Sequence, residues 1–229
     1  MQPIVIFGGF LSFPMLYQDM RSALTSLTGQ PTWIVHTHGY DWLMSMTMTG
    51  WGRLLDKLDR VVRQAVEGSS GQKAILIGHS AGGVLARQYL NPKPFLGKAY
   101  RGIEKVDHLI TLGSPHYNQG GLTRGGRMSR WVEKHNPGAA HSPQVKYTSV
   151  AGKFLYGSQF TTRQAHWAYD IYADICGNGN SWGDGIVPVE SAILKGSRTL
   201  VLENVSHFSI LGEPWYGSQE IIPFWWRVD

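Results

Sequence analysis

An α/β architecture, with a mostly parallel central sheet and helices on both faces, is predicted by three observations. Short apolar runs alternate along the chain with longer segments of helical periodicity, the pattern of repeated βαβ units. One run, Lys73-Ala74-Ile75-Leu76-Ile77, passes through a glycine-flanked turn directly into the helix-like Val84-Leu85-Ala86-Arg87-Gln88-Tyr89-Leu90. The chain has 229 residues, 42% hydrophobic and 16% charged, which suits a sizeable core and not a disordered polymer.

The elements follow in order. A buried strand is expected over 3–7, then a helix over 14–27 in which Pro14 fits the first turn. A strand over 32–36 precedes a helix near 51–67, where Leu54, Leu55, Leu58, Val61, Val62 and Ala65 recur at helical spacing. Strand 73–77 leads to helix 81–90, closed by Asn91-Pro92 because the residue before proline is pushed out of helical geometry. Val106 to Leu112, Val145 to Val150 and Thr199 to Leu202 supply the remaining strands. With no internal repeat or linker, one domain over 1–229 is expected, carrying cap or lid insertions at 115–144 and 152–183. The first holds Gly120-Gly121, Gly125-Gly126, Pro137-Gly138 and Pro143 around a helical candidate at 127–135. The second holds Phe154, Tyr156, Phe160, Trp167, Tyr169, Tyr172 and Trp182, aromatics suited either to an acyl pocket or to packing the cap.

Gly78-His79-Ser80-Ala81-Gly82 has the G-x-S-x-G form, and its strand, tight turn and helix give that form a mechanical meaning. The serine must sit on a strained turn; Gly78 and Gly82 clear the space beside it, and the helix N-terminus directs free amides at any anion formed there. Ser80 is therefore the candidate nucleophile. Its candidate partners follow in chain order: Asp184, within Gly183-Asp184-Gly185-Ile186-Val187-Pro188, and His207, within Asn204-Val205-Ser206-His207-Phe208 just past the last strand. A serine hydroxyl is a poor nucleophile alone. His207 would take its proton and return it to the leaving group, while Asp184 would fix the imidazole tautomer. The loop Gly8-Gly9-Phe10-Leu11 follows the first strand, so the Phe10 N–H would join that of Ala81 in an oxyanion hole. A flexible Gly-Gly turn is the plainer alternative.

Other residues compete for these roles. Asp170, Asp174 and Glu190 are alternative acids. His79 is read as pointing away along the turn, in support of the site. His36, His38, His108, His116, His135, His141 and His166 lack a position after a final strand. His36-Thr37-His38 has no cysteine or acidic companions at ligand spacing, so neither metal nor cofactor is expected.

Phe7-Gly8-Gly9-Phe10, Gly78-His79-Ser80-Ala81-Gly82-Gly83, Asp184-Gly185-Ile186-Val187-Pro188 and His207 together resemble the lipase and esterase branch of the α/β-hydrolase superfamily. The style is that of small bacterial triacylglycerol lipases and the GPI inositol-deacylase-like group, and the likeness runs from end to end. Many such lipases carry His-Gly in the first loop, where this chain has Gly8-Gly9. The resemblance implies a Ser80–Asp184–His207 serine hydrolase that cleaves lipid or other acyl esters through an acyl-enzyme. Acyl transfer, thioester cleavage and ligand binding without catalysis on the same fold remain the alternatives.

Net charge is +5, part of it from Arg124, Arg127, Arg130 and Lys134, opposed locally by Glu133. Such a segment is either a solvated face or a contact for an anionic membrane surface; no nucleic-acid-binding module accompanies it. Cys176 is the single cysteine, which excludes an internal disulfide and is compatible with a reducing compartment. The opening apolar run is too short for a signal core or a membrane span, and Ile221-Ile222-Pro223-Phe224-Trp225-Trp226 reads as a docked tail. A soluble, cytoplasmic protein is expected.

Overall fold

The computed structural model describes residues 1–10, 12–119 and 124–226. Leu11 and the Gly120-Gly121 pair lie outside the described residues, as do the side chains at 124 and 125.

The chain opens with β1 (Ile4–Phe7), a 3-10 turn at Pro14–Tyr17 and α1 (Gln18–Thr28). It continues through β2 (Thr32–Ile34), α2 (Gly39–Met44), α3 (Met48–Gly68), β3 (Ala74–His79), α4 (Ala81–Leu90) and β4 (Val106–Leu112). Next come α5 (Arg124–His135), β5 (Lys146–Lys153), β6 (Leu155–Tyr156), α6 (Arg163–Cys176) and β7 (Trp182–Gly183). The last elements are α7 (Val189–Ala192), β8 (Arg198–Glu203) and α8 (Ile222–Trp225).

Six strands form one parallel sheet in the order β2-β1-β3-β4-β5-β8. Residues alternate between its faces, as the pleat requires. Val5, Phe7, Leu76 and Leu109 pack against α3, α4 and α5 on one side; Ile4, Ile6, Ile75, Ile77 and Ile110 meet Met20 and Leu24 of α1 and Ile222 and Trp225 of α8 on the other. Coverage on both faces explains why β1 and β3 read as unbroken apolar runs. The tail docks as expected, with Trp225 Nε1 donating to the Tyr216 carbonyl at 2.9 Å.

This α/β sheet with helices on both faces is the architecture predicted, with local differences. The first helix opens with a 3-10 turn at Pro14, which cannot donate to an α-helical ladder. β2 ends at Ile34, two residues early, and β5 runs three residues past Val150 because β8 pairs with it as far as Lys153–Glu203. α2 and α6 were not anticipated as helices. α5 makes the crossover from β4 to β5, tied to α4 by the Arg87–Glu133 ion pair at 2.5 Å. Among the described residues, no helix is long and apolar enough to cross a membrane.

The topology also creates a crevice. From β1 the chain moves to β2 on one side, then α3 returns it to β3 on the other. Ligands of open parallel sheets bind at the carboxyl ends of strands beside such a reversal. The loop after β1 and the turn carrying Ser80 both lie there.

Candidate active site

Ser80 sits between β3 and α4 with φ 54° and ψ −131°, a conformation that non-glycine residues adopt only where the surroundings impose it. Its N–H is held by the Leu112 carbonyl at 2.9 Å. The neighbouring glycines are required by close approach: a Cβ on Gly78 would strike the Gly83 backbone, and one on Gly82 the carbonyls of Phe7 and Gly8. From the β1 loop, a Cβ on Gly9 would stand 2.5 Å from Ser80 Cβ and 3.0 Å from its Oγ. The first loop and the serine turn are thus packed backbone against side chain. Phe10 and Ala81, which flank that contact in sequence, line the same cavity as Ser80.

Asp184 and His207 come together fully buried, with His207 Nδ1 and Asp184 Oδ2 2.7 Å apart. Asp184 collects four donors: Ile186 N–H at 3.0 Å and Val187 N–H at 2.8 Å on Oδ1, and His207 Nδ1–H and Tyr216 O–H at 2.8 Å on Oδ2. Four donors make up for the hydration that a buried carboxylate loses. The His207 N–H also donates to the Asp184 carbonyl at 2.9 Å, so side chain and backbone are both tied. His207 Nε2 is buried with no hydrogen-bond partner, so the Ser80 hydroxyl is not bonded to it in this conformation. Of the alternative acids, Asp170 lies 3.7 Å from His166 on an exposed face, and Asp174 lines the cavity. The carboxylate bonded to His207 is that of Asp184.

Two supporting residues carry no sequence signal. Tyr216 bridges Asp184 and the Gly152 N–H, which donates to its oxygen at 2.6 Å; Tyr17 meets Gly9 N–H at 3.2 Å and His79 Nδ1 at 2.8 Å. His79 turns its Nε2 to the His207 carbonyl at 3.1 Å. Loss of solvent, reinforced by the neighbouring His207 imidazole, holds its pKa well below the usual histidine value, so it is neutral. His116, which lacks a position after a final strand, is buried between Thr111 and Arg87, at 3.0 and 3.4 Å.

A cavity of about 710 Å³ opens beside Ser80, lined mainly by apolar groups: Phe10, Trp42, Ala81, Val84, Pro115, Met128, Ile171, Ile175, Ile186 and Val187. Its walls come from α2, α4, α5 and α6, so both segments read as insertions contribute to it. Its size falls within the usual range for organic ligands. Among the described residues, no three His, Cys, Asp or Glu side chains gather to hold a metal ion.

The palmitoyl protein thioesterase family model matches residues 3–174, three-quarters of the chain, and the chain belongs to that family. The match takes in Gly9, Phe10 and Ser80 and stops short of Asp184 and His207. No curated protein matches the chain in sequence. Among solved structures, phospholipase PlaB from Legionella pneumophila is similar over 93% of this chain and 55% of its own, at 17% identity and a TM-score of 0.63. Aspergillus fumigatus lipase B aligns over 92% of this chain and 49% of its own, at 13% identity and a TM-score of 0.56. MGS-MChE2, an alpha/beta hydrolase enzyme from a lagoon-sediment metagenome of Mar Chica, Morocco, aligns over 97% of this chain and 90% of its own, at 16% identity and a TM-score of 0.53. At these identities the likeness is one of fold, the α/β-hydrolase fold, and the chain spans about half the length of the phospholipase.

Proposed function

We propose that this chain is a serine hydrolase that cleaves esters or thioesters of long-chain acyl groups, with Ser80 as nucleophile, His207 as general base and acid, and Asp184 as the group that orients His207. Ser80 Oγ attacks the acyl carbonyl as its proton passes to His207 Nε2. The oxyanion is held by the N–H groups of Phe10 and Ala81. Collapse breaks the C–O or C–S bond, the alcohol or thiol leaves with the proton from Nε2, and water repeats the sequence on the acyl-enzyme. One observation carries this reading: a serine held at φ 54° on the wall of an apolar cavity, with a buried His207–Asp184 pair whose Nε2 has no partner. Family membership favours thioesters among the candidate substrates.

In this reading residues 1–229 act as one domain, and segments 115–144 and 152–183 form the cap over the acyl chain. The basic surface of α5 meets anionic lipid headgroups, and the protein works in the cytoplasm, in lipid metabolism. A fluorophosphonate probe, which labels activated serines, is expected to modify Ser80 by peptide mapping. Acyl thioesters and p-nitrophenyl esters of graded chain length should be turned over by wild type and not by Ser80→Ala. Turnover surviving in Ser80→Ala overturns the assignment. A folded wild type that takes no probe and holds acyl esters unchanged is a binding protein.

A further inference from the structure

We infer that His79 and Tyr17 are positioning residues that join the loop after β1 to the loop after β8 through one directed hydrogen-bond chain, Gly9 N–H to Tyr17 Oη, Tyr17 O–H to His79 Nδ1, and His79 Nε2–H to the His207 carbonyl. The inference rests on the hydrolase reading above and adds two residues to it, neither of which touches the reacting atoms.

The direction of the chain follows from counting protons. Gly9 N–H is a fixed donor 3.2 Å from Tyr17 Oη, and the His207 carbonyl is a fixed acceptor 3.1 Å from His79 Nε2. Between these ends lie one phenol proton and, in a neutral imidazole, one N–H. With the imidazole proton on Nε2, all three links are made, since Tyr17 O–H then donates to Nδ1 across 2.8 Å. With that proton on Nδ1, the Nε2 lone pair would face a carbonyl oxygen and that link would be lost, while Tyr17 Oη would receive two N–H groups and could turn its own proton only to Ser12 Oγ. Burial keeps His79 neutral, which excludes the doubly protonated ring, and the carbonyl facing Nε2 then selects the Nε2–H tautomer.

The chain ties parts that must be in register together. Gly9 packs against Ser80 and precedes Phe10, the proposed oxyanion donor. Ser12 Oγ donates to the Gly9 carbonyl at 2.7 Å, fixing the other side of that residue. His79 is the residue before Ser80, and its ring centroid lies 4.7 Å from that of His207. β1 and β8 are separated in the sheet by β3, β4 and β5, so the sheet does not itself hold their loops at a common spacing. The ring of His79 is enclosed by Tyr17, Phe208, Trp215 and Tyr216 at centroid distances of 5.2–6.0 Å, which denies the imidazole other rotamers. Displacement of a reacting group by about 1 Å costs on the order of 10²-fold in rate, so a link of this kind acts on kcat rather than on binding.

Steady-state kinetics on Tyr17→Phe, His79→Phe, the double variant and His79→Gln test this. Each Phe variant keeps the ring and removes links, and is expected to lower kcat by about 10- to 100-fold with KM within about twofold. The double variant should lose no more than the worse single one, because a chain is broken only once. His79→Gln, whose amide N–H can reach the His207 carbonyl, should recover part of the loss. Losses that multiply, fall on KM, scale with melting temperature across the set, or stay under about threefold in both singles overturn the inference. Nitrogen-15 NMR of the imidazoles decides it apart from turnover. A neutral His79 protonated at Nε2 from pH 5 to 9 supports the chain, and an Nδ1–H form or an imidazolium refutes it. Should wild type turn over no ester and take no probe, the hydrolase reading fails and the positioning role with it, while the NMR result still settles the chain itself.

Discussion

Replacing Asp184 by asparagine exchanges one acceptor oxygen for an NH₂ at a point where four donors converge. The side-chain oxygen has two places to go. At the Oδ1 position it keeps the bonds from Ile186 N–H and Val187 N–H, at 3.0 and 2.8 Å; in the flipped orientation the NH₂ would face both of these donors. The first orientation is therefore fixed, and the NH₂ points at His207 Nδ1 and Tyr216 Oη, the partners of Oδ2 at 2.7 and 2.8 Å. Tyr216 already accepts from Gly152 N–H, so its own buried proton loses its acceptor. His207 must accept at Nδ1 and carry its proton on Nε2, where a base for Ser80 needs a lone pair. A wrong tautomer of this kind costs about 10⁴ in kcat, or about 5.5 kcal/mol of transition-state stabilisation. The assay is kcat on an acyl p-nitrophenyl ester, with circular dichroism to verify the fold and Asp174→Asn as a comparison expected to leave His207 untouched. A folded Asp184→Asn enzyme within about tenfold of wild type would refute the reasoning.

Three further expectations follow from the geometry. Gly9→Ala sets a methyl group 2.5 Å from Ser80 Cβ, and the forced shift of the loop should lower kcat by roughly 10²–10³, as loss of one oxyanion donor does; an unchanged kcat would separate the β1 loop from the reaction. Ile171→Trp fills part of the cavity from α6 and should move the preferred acyl chain to shorter lengths in a chain-length series, and an unaltered profile would place the acyl group elsewhere. Burial, aided by Lys146, lowers the His108 pKa to about 4, so between about pH 6.5 and 4 the unfolded chain binds a proton that the folded chain does not. The contribution is complete above pH 6.5 and falls by up to about 1.4 kcal/mol per pH unit as pH drops through that window. Melting temperature against pH should be flatter for His108→Gln, and an equally steep fall would remove His108 as a cause.

What could be read in advance was what local chemistry dictates. The serine turn is legible because only glycines fit at 78 and 82, where backbones meet, and at 83, against the Ser114 side chain. α3 is legible because one face of a long helix carries Leu54, Leu55, Leu58, Val62 and Ala65, all buried. α2 is six residues long, too short to show a period, and its capping box uses His38 with Asp41, an uncommon pair. α6 hid among aromatics, although its ends were marked by Thr162, whose hydroxyl accepts from Ala165 N–H at 3.1 Å, and by Gly177 at φ 77°. Tyr216 lies 32 residues from Asp184, and Tyr17 lies 62 from His79. Neither contact has a spacing rule, because each is made across the ends of different strands.

The strand order carries a consequence for how the molecule comes into being. Ser80 belongs to the first five strands in sequence order along the main sheet, β1 to β5, whereas Asp184 and His207 flank β8, which joins last and on the outer edge. Parallel pairings between distant segments form slowly, since the loop between them must close before any ladder bond rewards it. A nascent chain folded as far as β5 would carry the serine turn without its acid or its histidine. In the proposed triad, reactivity at Ser80 therefore arrives only with the final edge, and it reports that the whole sheet has been completed.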